Sequence, residues 1–181
     1  MIKGIVEDSG FVWGKRSKQT LVGSHPDLED VLTLALKKTV VDMAAYDGGR
    51  NEAEQREHVR NGKSDTMNSS HRYDSNKIFY ACDIVPWING TTSWKPEDYH
   101  RLMRSVFYAG HKLCVPLDWG GWWTGTSFGP DMPHVGLDKR FYPPGGAVST
   151  YRSRHRAGYR WLVNVKTGKY ESTKYYHNRQ V

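Results

Sequence analysis

Two histidines and two aspartates in the middle of the chain have the clearest chemical potential. Asp131 and His134 are three residues apart, and His71 and Asp83 lie upstream of them. A catalytic zinc site needs three protein ligands, an open position for water and a base beside that water. His71, Asp83 and His134 offer such a ligand set, and Asp131 offers the base. Judged by spacing alone, a metal site and ordinary surface or turn positions are equally good interpretations.

The composition is that of a folded domain with an uneven distribution of charge. The chain has 181 residues, of which 38% are hydrophobic and 25% charged, as in ordinary globular proteins. No apolar run of about eighteen residues and no apolar N-terminal leader are present, so we expect neither a membrane span nor a secretion signal. The two cysteines, Cys82 and Cys114, fit a protein made in a reducing cytosol.

Periodic apolar patterns predict helices and strands in mixed order, which is typical of an α+β fold. Helices are predicted to begin near Pro26, Asn51 and Lys95. Strands are predicted over residues 39–46, 78–85, 112–117 and 134–137. Residues 10–24 and 63–77 are expected to be loops. These elements must bring the two His and Asp pairs together if the chain is to hold a metal.

The C-terminal segment 143–181 is expected to be an extension separate from a catalytic domain at residues 1–142. It carries eight Lys or Arg residues against one Glu, which equals the whole net charge of +7. Residues 143–146 are the best linker candidate, and the remainder is predicted to contain a hairpin. This basic, aromatic hairpin either packs on the core or binds anionic polymers of a cell envelope. We do not expect nucleic-acid binding, because residues 1–142 are electrically neutral.

Eight short motifs follow one another in the order of a known family. They lie at residues 11–17, 25–28, 47–55, 62–64, 69–71, 81–90, 117–123 and 131–134. With these motifs the chain resembles the phage endolysins that act as L-alanyl-D-glutamate peptidases, which belong to the D-alanyl-D-alanine carboxypeptidase-like zinc peptidases. The resemblance implies a Hedgehog/DD-peptidase fold, with a small, mainly antiparallel sheet flanked by helices.

The resemblance also implies roles for the residues of the metal site. His71, Asp83 and His134 would bind one catalytic Zn²⁺, while a role for Ca²⁺ is left open. Asp131 would take a proton from water and pass it to the leaving amine. Arg50 would stabilise an oxyanion or hold a substrate carboxylate, and a structural ion pair is an equally good interpretation.

Further positions in the motifs are candidate substrate-binding residues. Ser69 and Gln55 would contact the substrate or support the site, and we favour the supporting role for both. Trp119 and Trp122, together with Trp123, would form a wall of the cleft or part of the core.

The spacing between His71 and Asp83 departs from the family pattern. These two residues are twelve apart, because an insertion of about five residues falls within positions 72–80. The insertion makes Asp74 a rival to Asp83 as the carboxylate ligand.

The resemblance implies a phage endolysin that cleaves the L-Ala–D-Glu bond of the peptidoglycan stem peptide. The alternatives are a D,D-carboxypeptidase or dipeptidase acting on D-Ala-D-Ala, and a non-catalytic, metal-containing module that binds the cell wall. We expect a monomer whose partner is peptidoglycan. It would be made in the host cytoplasm and reach the periplasmic wall after holin-mediated release.

Overall fold

The described residues up to 142 form four α-helices, five strands and a short 3₁₀ helix at Gly120–Trp122. The structure is a computed structural model that describes residues 4–127 and 129–142 and the backbone of two strands further on. The helices are α1 (Lys15–Thr20), α2 (Pro26–Lys38), α3 (Glu52–Arg60) and α4 (Pro96–Leu113). The strands are β1 (Met43–Asp47), β2 (Ala81–Ile88), β3 (Thr91–Thr92), β4 (Leu117–Trp119) and β5 (His134–Leu137).

The two longest helices, α2 and α4, pack against each other along their apolar faces. Pro26 occupies the first turn of α2, where its missing N–H costs nothing. The ring of His25 caps this helix by accepting a hydrogen bond from the Asp27 N–H at 3.1 Å. Leu28 and Leu102 are fully buried, and each such side chain contributes about 1.5–3 kcal/mol. Apolar residues at helical spacing predicted both helices. In the structure these residues form the buried stripes along which the two helices pack.

The sheet has the order β1-β2-β5-β4, with the short strand β3 paired to β2. All four strand pairs are antiparallel. The antiparallel sheet flanked by helices confirms the predicted α+β fold. In the central pair, Asp83 of β2 lies directly opposite His134 of β5. The register of the sheet thus positions two of the predicted metal ligands side by side.

Two strand limits and one loop predicted from the sequence were wrong. The strand expected to end before Pro86 continues to Ile88, because the neighbouring Trp87 N–H finds an acceptor in the Asp42 carbonyl. The predicted strand 112–117 begins too early, since α4 continues to Leu113 and ends at Cys114 in a left-handed conformation. The expected loop 10–24 contains the short helix α1.

The first strand is also displaced from its predicted position. The segment 39–46 was predicted, but β1 covers Met43–Asp47. Thr39 and Val41 instead form local hydrogen bonds with each other. The Thr39 hydroxyl accepts from the Val41 N–H and donates to the Val41 carbonyl. This local loop competes with the sheet for the same backbone groups.

The chain divides into two units, Met1–Leu137 and Asp138–Val181. In the second unit, β6 (Trp161–Val163) pairs antiparallel with β7 (Tyr170–Ser172). This strand pair lies in the segment for which the hairpin was predicted, while the linker predicted at 143–146 lies outside the described residues. The predicted boundary at residue 142 stays a prediction. In the part of the chain that is described, no helix has the length and apolar character needed to cross a bilayer.

Candidate active site

His71, Asp83 and His134 converge at one end of the central strand pair. The sheet register places Asp83 opposite His134, and His71 enters from the loop before β2. The backbone of His71 is fixed there, because its carbonyl accepts a hydrogen bond from the Arg50 N–H at 2.8 Å. The Ser69 hydroxyl also accepts from the His71 N–H at 3.2 Å. Both ends of the His71 peptide are therefore held before any ligand binds.

The donor atoms of these three residues lie within 4.8 Å of one another. Nε2 of His71 is 3.1 Å from Nδ1 of His134 and 3.3 Å from Oδ1 of Asp83. Nδ1 of His134 is 3.8 Å from the same Asp83 oxygen. Two imidazole nitrogens and one carboxylate oxygen form a ligand set that zinc uses in catalytic sites. Among the described residues, this is the one group that could hold a metal ion in this way.

Oδ1 of Asp83 supports the fit to a cation. This oxygen is buried and accepts no hydrogen bond of acceptable geometry from any described residue. Buried carboxylate oxygens are normally satisfied by donors, because leaving them without one costs free energy. A cation held between Asp83 and the two histidines would supply the missing interaction.

The tautomer of His71 is fixed by a backbone carbonyl. Nδ1 of His71 lies 2.9 Å from the Gly48 carbonyl oxygen. A carbonyl can only accept, so Nδ1 carries the proton and neutral His71 presents an unprotonated Nε2 to the site. This is the arrangement by which a second group commonly orients a metal-binding histidine.

The basic side chains around Asp83 favour its ionised form. Burial alone would raise the pKa of Asp83, but its interactions with His71, His134 and Arg50 lower the pKa below its usual value. Nη2 of Arg50 is 4.0 Å from Oδ2 of Asp83. The carboxylate is thus kept in the form that can bind a metal.

Asp131 lies on the loop that enters β5 and is held there by backbone contacts. Its N–H donates to the Gly120 carbonyl at 2.9 Å, and its carbonyl accepts from the His134 N–H at 3.2 Å. Burial, followed by the negative charge of Asp83, raises the pKa of Asp131 to about 6. A carboxylate with a raised pKa binds protons more readily, which suits a general base.

Comparisons with known proteins agree with this geometry. The sequence profile described as "Phage L-alanyl-D-glutamate peptidase" matches residues 9–138. The chain belongs to this family. It is 28% identical over 120 residues to the L-alanyl-D-glutamate peptidase of Escherichia phage T5, covering 64% of this chain and 84% of that protein.

A solved structure extends the similarity to the fold. The crystal structure of the L-Ala D-Glu endopeptidase ChiX from Serratia marcescens superposes with a TM-score of 0.63 at 36% sequence identity. The match covers 71% of this chain and 91% of the Serratia protein. All of the predicted site residues lie within the family match, whereas the basic tail lies beyond it.

In this family member, Arg50 and Gln55 form a buried network beside the metal ligands. The Arg50 guanidinium donates to Asp47 Oδ2, at 3.1 Å from Nε and 2.8 Å from Nη2, and to Gln55 Oε1 at 3.2 Å. The Gln55 amide donates in turn to the Ser64 hydroxyl and the Thr66 carbonyl. Gln55 is fully buried and so has the supporting position that we favoured for it. Arg50 forms the structural pair, and its contact with substrate stays a prediction.

Ser69 and the three tryptophans differ in their access to a substrate. Ser69 is half-buried and supports His71. Trp119 is 3% exposed, and its indole N–H donates to the Met132 carbonyl at 2.8 Å, so its position is structural. Trp122 is 62% exposed and stacks on Phe107 with ring centroids 4.7 Å apart. Direct contact of these residues with substrate stays a prediction.

The insertion before β2 is closed by Asp74, the rival ligand. Its carboxylate accepts hydrogen bonds from the Asn76 and Ile78 N–H groups and from the Tyr80 hydroxyl. The described group of metal-ligand atoms contains Asp83 and not Asp74. Asp74 therefore closes the inserted loop, which leaves Asp83 as the carboxylate ligand candidate.

Sequence reasoning missed three contributors to the site. The motif at residues 47–55 includes Gly48, but no role was predicted for its carbonyl, which orients His71. Trp123 was predicted to form a wall of the cleft or part of the core, but its ring lies 4.5 Å from that of His134 and its N–H donates to Asp118. The third contributor is Tyr99 of α4, whose hydroxyl is buried without a described partner. Its pKa is raised by burial and by the charges of Asp83 and Asp131.

Proposed function

We propose that this protein is a phage endolysin, a zinc-dependent peptidase that hydrolyses the L-Ala–D-Glu bond of peptidoglycan stem peptides. The observation that carries the proposal is the convergence of His71, Asp83 and His134 beside Asp131. The family membership and the named activities of the phage T5 and Serratia relatives support the choice of bond. The protein would be made in the host cytoplasm and reach the periplasmic wall after holin-mediated release, acting as a monomer.

The residues present fit a zinc ion held by His71 Nε2, His134 Nδ1 and Asp83. A zinc ion bound there would supply Lewis acidity and would lower the pKa of water from about 15.7 towards 7. The protein itself contributes orientation, because the Gly48 carbonyl fixes the His71 tautomer. Arg50 holds a positive charge close to Asp83 and stabilises negative charge that develops during the reaction.

Asp131 is the base of the proposed reaction. Its carboxylate takes the proton from the attacking water and donates it to the D-Glu nitrogen as the peptide bond breaks. Burial and the charge of Asp83 raise the pKa of Asp131, which favours uptake of the proton from water in the first step.

Digestion of purified peptidoglycan tests the bond that is cleaved. The proposed function predicts new D-Glu amino termini. Release of D-Ala alone would identify a D,D-carboxypeptidase or dipeptidase instead, and the absence of any cleavage would identify a wall-binding module.

Replacing the base tests the mechanism. Asp131→Asn is expected to lower the cleavage rate by a factor on the order of 10²–10⁴ while zinc content is unchanged. Glu97→Gln, at an exposed carboxylate in the first turn of α4, is a matched control and is expected to cleave normally. An Asp131→Asn variant that lyses walls at the normal rate would contradict the assignment of the base.

A further inference from the structure

A cavity of about 410 Å³ opens beside the edge strand β1, and none of the three metal ligands lines it. We call it the β1 pocket and define it by five of its lining residues, which come from α1, β1, β2 and β3. They are Lys15, Arg16, Tyr46, Trp87 and Thr92. None of these five residues was predicted from the sequence to take part in binding or catalysis.

Two residues that line the β1 pocket, Trp87 and Thr92, lie on the sheet face that carries the candidate metal ligands. Asp83, Val85 and Trp87 alternate along β2 and therefore point to the same side. Residues paired across antiparallel strands also share a face, which adds His134 opposite Asp83 and Thr92 opposite Trp87. Trp87 and Thr92 thus connect the pocket to the face of the sheet that carries Asp83 and His134, on which Val85 lies buried between them.

The distance along β2 between the metal centre and the β1 pocket sets the length of a ligand that could occupy both sites. Trp87 lies four residues beyond Asp83, or about 13 Å at 3.2–3.4 Å per residue. An extended peptide covers that distance in about four residues. A substrate held at the metal centre would reach the β1 pocket with residues two to four positions from the scissile bond.

The pocket combines exposed rings with positive charge. Trp87 and Tyr46 are 41% and 44% exposed, and the Arg16 guanidinium lies 5.6 Å from the centroid of the Tyr46 ring. Lys15 and Arg16 are exposed, whereas the one lining carboxylate, Asp42, already accepts a hydrogen bond from the Met43 N–H. This chemistry suits a ligand with carboxylates attached to an apolar backbone.

We propose that the β1 pocket binds the carboxylate-bearing part of the stem peptide on the D-Glu side of the cleaved bond. This inference rests on the proposed function, since it requires cleavage between L-Ala and D-Glu. D-Glu itself lies next to the cleaved bond, and the residues at the second and third positions beyond that bond, a diamino acid and D-Ala, carry the C-terminal carboxylate. Lys15 and Arg16 pair with this carboxylate, and Trp87 packs against the peptide before it.

Two soluble substrates distinguish the contribution of the β1 pocket from that of the metal centre. One is a tetrapeptide, L-Ala–D-Glu extended by a diamino acid and D-Ala, and the other is the L-Ala–D-Glu dipeptide with blocked carboxylates. The double variant Lys15→Glu/Arg16→Glu is expected to lower kcat/KM for the tetrapeptide roughly tenfold, because reversing two exposed charges turns attraction into repulsion. Its kcat/KM for the blocked dipeptide is expected to equal that of the wild type.

A single charge reversal elsewhere on the same helix controls for a change in net charge outside the pocket, with one charge reversed instead of two. Lys18→Glu reverses an exposed charge on the same helix that does not line the pocket and is expected to leave both substrates unaffected. In the inactive Asp131→Asn background, calorimetry is expected to show the same tenfold loss of tetrapeptide affinity for the Lys15→Glu/Arg16→Glu change. Equal melting temperatures confirm that the variants are folded.

The possible outcomes separate this inference from the proposed function. If the wild type cleaves neither peptide, the proposed function is wrong and the inference falls with it. If both peptides are cleaved but Lys15→Glu/Arg16→Glu behaves like Lys18→Glu, only the inference is wrong. A Trp87→Ala variant that slows cleavage of sugar-bearing fragments alone would assign the pocket to the glycan and overturn the proposal.

Discussion

His71 shows how far the behaviour of a site residue depends on groups that a motif does not name. The resemblance of residues 69–71 to a family motif predicted it as a metal ligand, together with Asp83 and His134. Its tautomer depends on the Gly48 carbonyl, a backbone atom that every residue type possesses. Residue types could therefore be predicted from the sequence, whereas the backbone groups that orient them could not, because they depend on the folded path of the chain.

Asp131 should make the metal-free protein less stable as the pH rises. Its pKa is about 6 in the folded protein against 3.8 for the ordinary group, because burial and the charge of Asp83 oppose ionisation. A raised pKa in the folded state contributes stability below about pH 4, and this contribution is lost as the pH rises through 6. The melting temperature of the chelated wild type, relative to that of Asp131→Asn, should fall between pH 4 and 7.

The comparison with Asp131→Asn isolates one group among several that titrate. Asn has nearly the same shape and no ionisable proton, so contributions from groups distant from Asp131 cancel in the difference. A difference in melting temperature that stays constant across this pH range would show that the environment of Asp131 does not raise its pKa.

At the scale of elements, helices were predicted better than strands. The apolar stripes of α2 and α4 and the Asn51 cap of α3 are local signals, and the structure contains all three helices. Strand limits depend on partners distant in sequence. β2 extends past Pro86 because β1 and β3 pair with it, and no local pattern carries that information.

The turn after β4 must approach the loop that carries Asp131 very closely. A Cβ atom at Gly120 would lie 2.4 Å from the Asp131 carbonyl oxygen and 2.9 Å from the Cβ of His134. Gly120→Ala should therefore displace the candidate ligand His134 and the proposed base Asp131 together. We expect zinc affinity to fall roughly tenfold to hundredfold, as for loss of groups that support metal ligands, measured by competition with a chromogenic chelator.

Gly14→Ala is the matched control for this steric argument. A Cβ at Gly14 meets no atom within 4 Å, and the residue lies at the start of α1, away from the metal ligands in sequence. Zinc affinity should be unchanged in this variant. Normal zinc affinity in Gly120→Ala would show that the loop yields easily and that the close approach does not position the ligands.

At the scale of the whole molecule, the metal centre should contribute to the stability of the fold. Its ligands come from two strands and a loop, so the complete ligand set exists only in the folded chain. A ligand that binds only the folded state stabilises it, by about 2.7 kcal/mol at one hundred times its dissociation constant. Chelation should lower the melting temperature, and added zinc should restore it.

Two comparisons give this stability measurement its specificity. His71→Ala removes one of the two nitrogen donors and should abolish the response to zinc. Mg²⁺ prefers oxygen ligands and should not raise the melting temperature of the chelated wild type. A zinc response of full size in His71→Ala would place the metal elsewhere in the molecule.

The charge of the tail lies outside the family match, so its role must be argued from charge alone. Residues 143–181 carry the full net charge of +7, and a concentrated positive charge attracts anionic surfaces in a salt-dependent way. Changing Arg152, Arg154, Arg156 and Arg160 to Ser removes four of its eight positive charges. We expect weaker cosedimentation with isolated cell walls and a smaller loss of binding when salt is added.

Hydrolysis of a soluble stem peptide separates wall binding from catalysis in the same variant. The site residues lie within residues 9–138, outside the tail. A small peptide also lacks the anionic polymer surface to which the tail would bind, so kcat/KM on the peptide should not change. Slower hydrolysis of the peptide would show that the tail supports the catalytic unit. Unchanged wall binding would contradict a role for its charge in attaching the enzyme to the envelope, because a uniform electrostatic attraction must weaken when half of the positive charges are removed.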